Sequence, residues 1–225
     1  MKTLVIIFMM STIILSQTYK AVNIKGEVKS QSGTEEIWKS VTEGSILKND
    51  EVLVTGRKSS VQLVNNDFTF YLKEKSAVSI SSIKRMSLDE LLLALAMEDL
   101  INAPKKNGNG HSESTAVYGE DDSEDFPALD SGPFGIKRLN GARQLSESGL
   151  TESAIVFAKE TYRKYPDTKS DPSYRIYFAN ILYNKSLYEE ALVEYKEISK
   201  LDLNEKQRNE VSSAIENVKK VLMSN

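Results

Sequence analysis

Val52-Leu53-Val54-Thr55-Gly56, Ser60-Val61-Gln62-Leu63, Phe68-Thr69-Phe70-Tyr71-Leu72 and Val78-Ser79-Ile80 follow one another within a stretch that opens at Glu43. In each run an apolar residue returns at every second position: Val52 and Val54, Val61 and Leu63, Phe68, Phe70 and Leu72, Val78 and Ile80. Side chains alternate faces along a strand, so this period sets one apolar row against a core. Asn49-Asp50, Thr55-Gly56 and Asn65-Asn66-Asp67 fall between the runs, where Asn, Asp and Gly tolerate a positive φ. The stretch predicts a tight all-β module of four short strands, with Thr69 and Tyr71 facing outward. It carries no catalytic signature.

Two further strands are expected upstream. Val22-Asn23-Ile24-Lys25-Gly26-Glu27-Val28 alternates apolar and polar, and Glu36–Val41 follows a turn at Ser30–Thr34 rich in Gly and Ser. Trp38, the single Trp, is expected to fill or cap the module's core, with a sugar-stacking platform as the alternative. Downstream the period changes. Ser87-x-x-Glu90 is a capping box, and Leu88, Leu91, Leu92, Leu95, Leu100 and Ile101 recur at helical spacing. Residues 87–103 therefore read as an amphipathic helix packing on or flanking the β module, where it would close an open face. Left exposed, a Leu stripe of this length would be an association site.

Residues 104–135 differ in kind. Lys105-Lys106-Asn107-Gly108-Asn109-Gly110 and then Glu120-Asp121-Asp122-Ser123-Glu124-Asp125 leave too little apolar surface to offset the entropy of ordering, so a flexible acidic linker is expected. The carboxylate run lacks the Asp-x-Asp-x-Asp-Gly spacing and distal Glu of a calcium loop. His111 is the only His and the chain has no Cys. Disulfides, thiolate chemistry and Cys-based zinc sites are thereby excluded, and neither a metal nor a cofactor is expected.

From Ile136 the pattern is helical, and it repeats. Ala142, Leu145, Gly149, Ala154, Ala158 and Pro166 align with Ala179, Leu182, Ser186, Ala191, Tyr195 and Leu203 at a constant offset of 37. Small residues at Ala142, Ala154, Ala179 and Ala191 allow close approach of antiparallel helices. Asp171-Pro172 reads as an N-cap followed by proline at the first helical position. A last helix, Asn204 to Met223, carries Val211, Ala214, Ile215, Val218 and Leu222 on one face, as a capping helix should. Two repeats and a cap make a marginal stack, so support is expected from the β module, a bound segment or a second copy.

The N-terminus points to export. Met1-Lys2-Thr3 precedes an apolar run from Leu4 to Leu15, broken by Ser11 and Thr12. As a helix it would span about 18 Å, against roughly 30 Å for a hydrocarbon core. With small Ser16 at a plausible cleavage position, residues 1–16 read as a secretory signal peptide. The formal net charge of −3 comes from mixed signs, so no nucleic-acid partner is expected. The expected organisation is an α+β multidomain protein: leader 1–16, β domain 17–86, helix 87–103, linker 104–135 and helical array 136–225.

Two resemblances accompany this reading. Gly26-Glu27-Val28, then Gly44, Leu47, Asp50, Val52 and Thr55-Gly56, Ser59-Ser60-Val61-x-Leu63 and Phe70-x-Leu72, resemble the FecR-type domain of bacterial envelope proteins over about residues 21–83. The family's usual Gly-Asp and Asp-Gly turns are replaced here by Asn49-Asp50 and Asp67-Phe68. Residues 135–205 resemble tetratricopeptide repeats, most typically at Leu187-Tyr188-Glu189-Glu190-Ala191-Leu192-Val193-Glu194-Tyr195. The first repeat lacks the aromatic at Ala158, and the second lacks the proline at Leu203.

The second resemblance implies a concave face that binds extended or helical segments of other proteins, with Arg143, Glu147, Ile176, Asn180, Tyr183 and Asn184 as partner-binding residues. Asn180 stands where many such domains bond a peptide backbone, whereas the basic residues of a carboxylate clamp are not at the matching places. Together these point to a non-catalytic exported protein of the periplasm or cell envelope. It would be an adaptor for another envelope protein or peptide segment, its two modules tethered by the linker. The alternatives are a FecR-type signalling accessory, or a module binding cell-wall glycan through Trp38 or Tyr71. Self-association is a further expectation. No Ser/His/Asp set or Gly-rich phosphate loop supports an enzyme.

Overall fold

The computed structural model describes residues 18–33, 37–66, 68–102 and 134–224. The leader read at 1–16 lies outside them. So does the linker read at 104–135, except for Phe134 and Gly135, which open a helix two residues earlier than expected.

Among the described residues, eight strands form two antiparallel sheets. They are β1 (Tyr19–Lys25), β2 (Val28–Ser32), β3 (Lys39–Ser40), β4 (Ile46–Leu47), β5 (Glu51–Thr55), β6 (Ser60–Val64), β7 (Thr69–Leu72) and β8 (Ala77–Ser79). One sheet has the order β4-β1-β6-β7 and the other β3-β2-β5-β8. In β6, β7 and β8 the alternating residues do what their period requires: Val61, Leu63, Phe70, Leu72 and Val78 are fully buried between the sheets, while Thr69 and Tyr71 face out. In β5 the expected phase is reversed: Leu53, not Val52 and Val54, enters that core, because Val54 on the other face packs with Ala77, Trp38 and Phe134. The single strand expected at Val22–Val28 is two strands in opposite sheets. The chain crosses at Gly26, whose φ of +67° lies where only Gly is unstrained, and a Cβ there would sit 2.4 Å from Ser59 Oγ. That hydroxyl accepts from the Glu27 amide at 2.8 Å, which fixes the crossing.

Six α-helices among the described residues complete an α+β fold: α1 (Leu88–Asn102), α2 (Phe134–Glu147), α3 (Thr151–Lys164), α4 (Pro172–Asn184), α5 (Tyr188–Ile198) and α6 (Glu205–Ser224). The capping box at α1 forms in both directions: Ser87 N donates to Glu90 Oε2 at 2.7 Å, and Glu90 N donates to Ser87 Oγ at 3.2 Å. Asp171 caps α4 by accepting from Ser173 N. Asn204 and Gln207 bond each other's amides at the start of α6. No helix among the described residues is long and apolar enough to cross a membrane.

Two packing relations differ from expectation. Helix α1 lies against α3, not on the sheets. Its Leu91 and Leu95 join a core with Ile155, Ile176, Leu182, Tyr195 and Val211, and Glu98 pairs with Arg163 of α3 at 2.9 Å. The sandwich is closed instead by α2. Leu139, Ala142 and Leu145 share one core with Tyr19, Leu53, Phe70 and Val78. The boundary read at residue 136 therefore runs through a common core, and the β module and first helix pair are packed together. Gly141 makes this possible, because a Cβ on it would come 1.9 Å from the Ala77 carbonyl oxygen.

Candidate functional site

The docking of α2 places one strand turn beside the helices' polar face. Gln144 is buried and accepts from Lys73 N at 2.7 Å while donating to Ser76 Oγ at 2.7 Å. Asn140 donates to the Lys75 carbonyl at 2.8 Å. These bonds fix the β7–β8 turn, Lys73–Ser76, against α2. Between them opens a cleft of about 300 Å³ lined by Lys73, Glu74, Lys75, Asn140, Arg143 and Glu147.

The Glu147 carboxylate is its electrostatic centre. It accepts from Arg143 Nε at 3.1 Å and from Lys73 Nζ at 3.3 Å, so a strand turn and a helix meet through one anion. The Arg143 guanidinium also lies 5.3 Å from the centre of the Tyr177 ring on α4, within cation–π range. Tyr174 on α4 donates to Asn140, and burial pushes its hydroxyl pKa up. Both pairs around Glu147 are exposed, which makes them exchangeable with a ligand at little cost.

The six predicted residues divide sharply. Arg143 and Glu147 come together in the cleft. Asn180 lies farther along the same face, but its amide is committed: Tyr195 OH donates to Oδ1, and Nδ2 donates to Glu210 of α6 at 3.1 Å. Burial and nearby Glu210 push the Tyr195 pKa up to about 12, so it stays a donor at neutral pH. Tyr183 stacks edge-on against Tyr188 at 5.5 Å, and Asn184 is exposed at the end of α4. Ile176 is a correction. At 6% exposure it belongs to the core with Leu91 and Leu182, because α4 is packed on both flanks.

Sequence reasoning missed Lys73, Lys75, Asn140 and Gln144, whose roles depend on contacts more than 60 residues apart in sequence. Trp38 is half-buried with its ring edge-on to Phe134 of α2 at 6.0 Å, and Phe134 meets Tyr165 at 5.8 Å. It fastens the β module to the helices. Tyr71 remains an exposed aromatic, 43% accessible and paired across the strands with Gln62.

The other perturbed groups serve packing. Arg138 is buried over the Phe157 ring at 4.2 Å and donates from Nε to Thr161 Oγ1. Burial lowers its pKa, opposed by Glu160, which lies 3.5 Å from Nη2 without hydrogen-bond geometry. Glu194 of α5 is held by Lys159 of α3 and by Arg175 of α4, the latter at 3.0 Å. Burial pushes its carboxyl up, and the two cations outweigh burial, leaving it below the usual carboxylate range. Among the described residues no three His, Cys, Asp or Glu are grouped to hold a metal ion. The cleft offers donors, acceptors and exchangeable charge, with no nucleophile-and-base pair. No family model, curated protein or solved structure matches the chain.

Proposed function

We propose that this protein is a non-catalytic, exported adaptor of the bacterial cell envelope, and that the cleft beside Glu147 is where it takes a segment of another envelope protein. The resemblances to a FecR-type domain and to tetratricopeptide repeats supply the class. Two antiparallel helix pairs, α2–α3 and α4–α5, joined by short turns and offset by 37 residues, are what such a repeat needs. The observation that carries the site is the Lys73–Glu147–Arg143 bridge. An internal carboxylate holds two exposed cations in place, and an acidic side chain of an extended ligand can take its position. Charge of this kind sets partner choice and association rate more than affinity.

The test is crosslinking capture from an envelope extract with the chain from Gln17 onward, alongside Lys73→Glu/Arg143→Glu. Both side chains are more than half exposed, so the fold should persist, as circular dichroism would verify. Wild type should capture a specific partner that the double variant loses. Equal capture by both removes the cleft from the function. A second reading, binding of cell-wall glycan, is favoured by Tyr71 alone. Polysaccharide retention lost in Tyr71→Ala would transfer the function to the sandwich. A FecR-type signalling accessory would use the same cleft toward a membrane receptor's segment.

A further inference from the structure

Helix α2 treats the two strand edges beside it differently. On β8 the edge is sealed: a Cβ on Gly141 would meet the Ala77 carbonyl oxygen, Asn140 donates to the Lys75 carbonyl and Gln144 donates to Ser76 Oγ. Strand β7 ends its own sheet, with β6 on one side and no strand on the other. Asn65 N donates to the Phe68 carbonyl at 3.0 Å, in the same register that pairs Leu63 with Phe70 and Val61 with Leu72. Bonded pairs alternate along an antiparallel ladder, so Thr69 and Tyr71 turn their N–H and C=O groups away from β6. The next outward amide, Lys73 N, is taken by Gln144. Among the described residues nothing takes those of Thr69 and Tyr71. An unpaired edge is a template for another strand.

A cleft opens at each end of this edge. At its Lys73 end lies the Glu147 cleft. At its Phe68 end lies a second, of about 320 Å³, lined by Phe68, Arg85, Met86, Ser148 and Leu150, where the α2–α3 turn passes. Arg85 is exposed and has no ion-pair partner among the described residues, while Glu152 on the same cleft is held by Lys185 at 2.5 Å. Cations thus stand at both ends of β7: Arg85 at one, Lys73 and Arg143 at the other.

We propose that an extended segment of the partner protein adds to β7 as a fifth, antiparallel strand, and that this segment carries an acidic residue at each end. The inference rests on the adaptor reading for its Lys73 end. Main-chain bonds to Thr69 and Tyr71 supply affinity, and the two clefts supply specificity, the division of labour of strand addition to a sheet edge. The added strand is antiparallel because every pair in this sheet is. Length sets the spacing of the acids. Phe68 to Lys73 spans about 17 Å, and residues six apart in a strand lie on one face about 20 Å apart, so their carboxylates pass just beyond both ends of β7. β-branched residues on the other face would lie against the exposed Tyr71 ring.

The probe is the peptide acetyl-Glu-Val-Thr-Val-Thr-Val-Glu-amide. Titrated into the chain from Gln17 onward and followed by amide hydrogen exchange, it should bind and protect the Thr69 and Tyr71 amides. The Val residues would stand opposite Thr69 and Tyr71, so N-methylation of the Val amides should abolish binding and N-methylation of the Thr amides should spare it. Arg85→Glu and Lys73→Glu, both at exposed positions, should each weaken binding about fivefold with unchanged circular dichroism. No binding, binding without protection of these two amides, equal binding of the two methylated peptides, or protection already present in the free chain would each overturn the proposal. Envelope capture lost in Lys73→Glu/Arg143→Glu alongside any of those results would keep the cleft and remove the strand. Protection of Thr69 and Tyr71 with capture unaffected would keep the strand and remove the cleft.

Discussion

The helix pairs α2–α3 and α4–α5 obey one sequence pattern and keep different company. Leu139, Ala142 and Leu145 of the first correspond to Ile176, Ala179 and Leu182 of the second, and all six are buried. The next two correspondences diverge. Gly141 matches Phe178, and Gln144 matches Ile181. Phe178 belongs to the core that holds Ala158 and Tyr162 of the first pair. Gly141 points back to the carbonyl of Ala77 on β8. The β-sandwich therefore occupies, for the first pair, the place that the first pair occupies for the second. Strand backbone approaches closer than a helix can, so the aromatic becomes Gly and an apolar neighbour becomes an amide that bonds the strand turn. The two helix pairs are flanked by the sandwich at one end and by α6 at the other, which is how so short a stack can hold together.

Breaking each end of this comparison should cost differently. The largest effect belongs to Phe178→Ala and Gly141→Leu. The first removes a filled core position, at about 3–5 kcal/mol. The second forces a side chain into the Ala77 backbone, at about 3 kcal/mol or more. Thermal unfolding should fall by roughly 6–20 °C in Phe178→Ala and by about 6 °C or more in Gly141→Leu. If Gly141→Leu melts like wild type, the α2–β8 contact is not close-packed.

A smaller loss is expected at the joint between the helix pairs. Glu194 is 15% exposed and holds Lys159 and Arg175, so Glu194→Gln should cost up to about 3 kcal/mol at neutral pH by leaving both cations unanswered. Its folded pKa lies below the ordinary 4.5. The ionised carboxylate thus contributes stability that is present above the unfolded pKa and is lost as pH falls through the folded one. Urea unfolding against pH should show this acid-side loss in wild type and a shallower one in Glu194→Gln. Equal slopes would mean the three charges are not coupled. Smaller still, Gln144→Ala leaves the Lys73 amide and Ser76 hydroxyl without their partner, for about 1–2 kcal/mol.

Much of this was legible where the cause is local. The two-residue period from Val61 to Ile80, the Ser87–Glu90 box, the Asp171-Pro172 start and the 37-residue offset each specify structure through neighbours in sequence, whereas the continuous apolar run Val52-Leu53-Val54 left its phase open, and Leu53 took the core between the sheets. The docking of α2 was not, because it joins residues 73–77 to 140–147. A trace of it existed nonetheless: Gly141 stands inside a helix, where Gly costs about 1 kcal/mol against Ala, and so asks for a reason. The helical stripe on α1 was read correctly as apolar, but spacing alone could not say that α3 would take Leu91 and Leu95. In the site, Arg143 and Glu147 were legible from the repeat pattern. Their partner Lys73 was not, since a charged turn carries no record of what it faces. Ile176 was misassigned because α4 is packed on both flanks, so that Ile176 enters the core shared with Leu91 of α1, an element outside the repeat.

The central claim is that sandwich and first helix pair are one cooperative unit. Trp38, the single Trp, sits at their junction against Phe134, so its fluorescence reports the contact, while circular dichroism at the helix band reports the array. Following both through urea unfolding of the wild-type chain is the most direct test. Coincident transitions with one midpoint are the predicted result. A Trp38 transition complete before helix is lost would contradict it, and would make the β module a separate body leaning on α2.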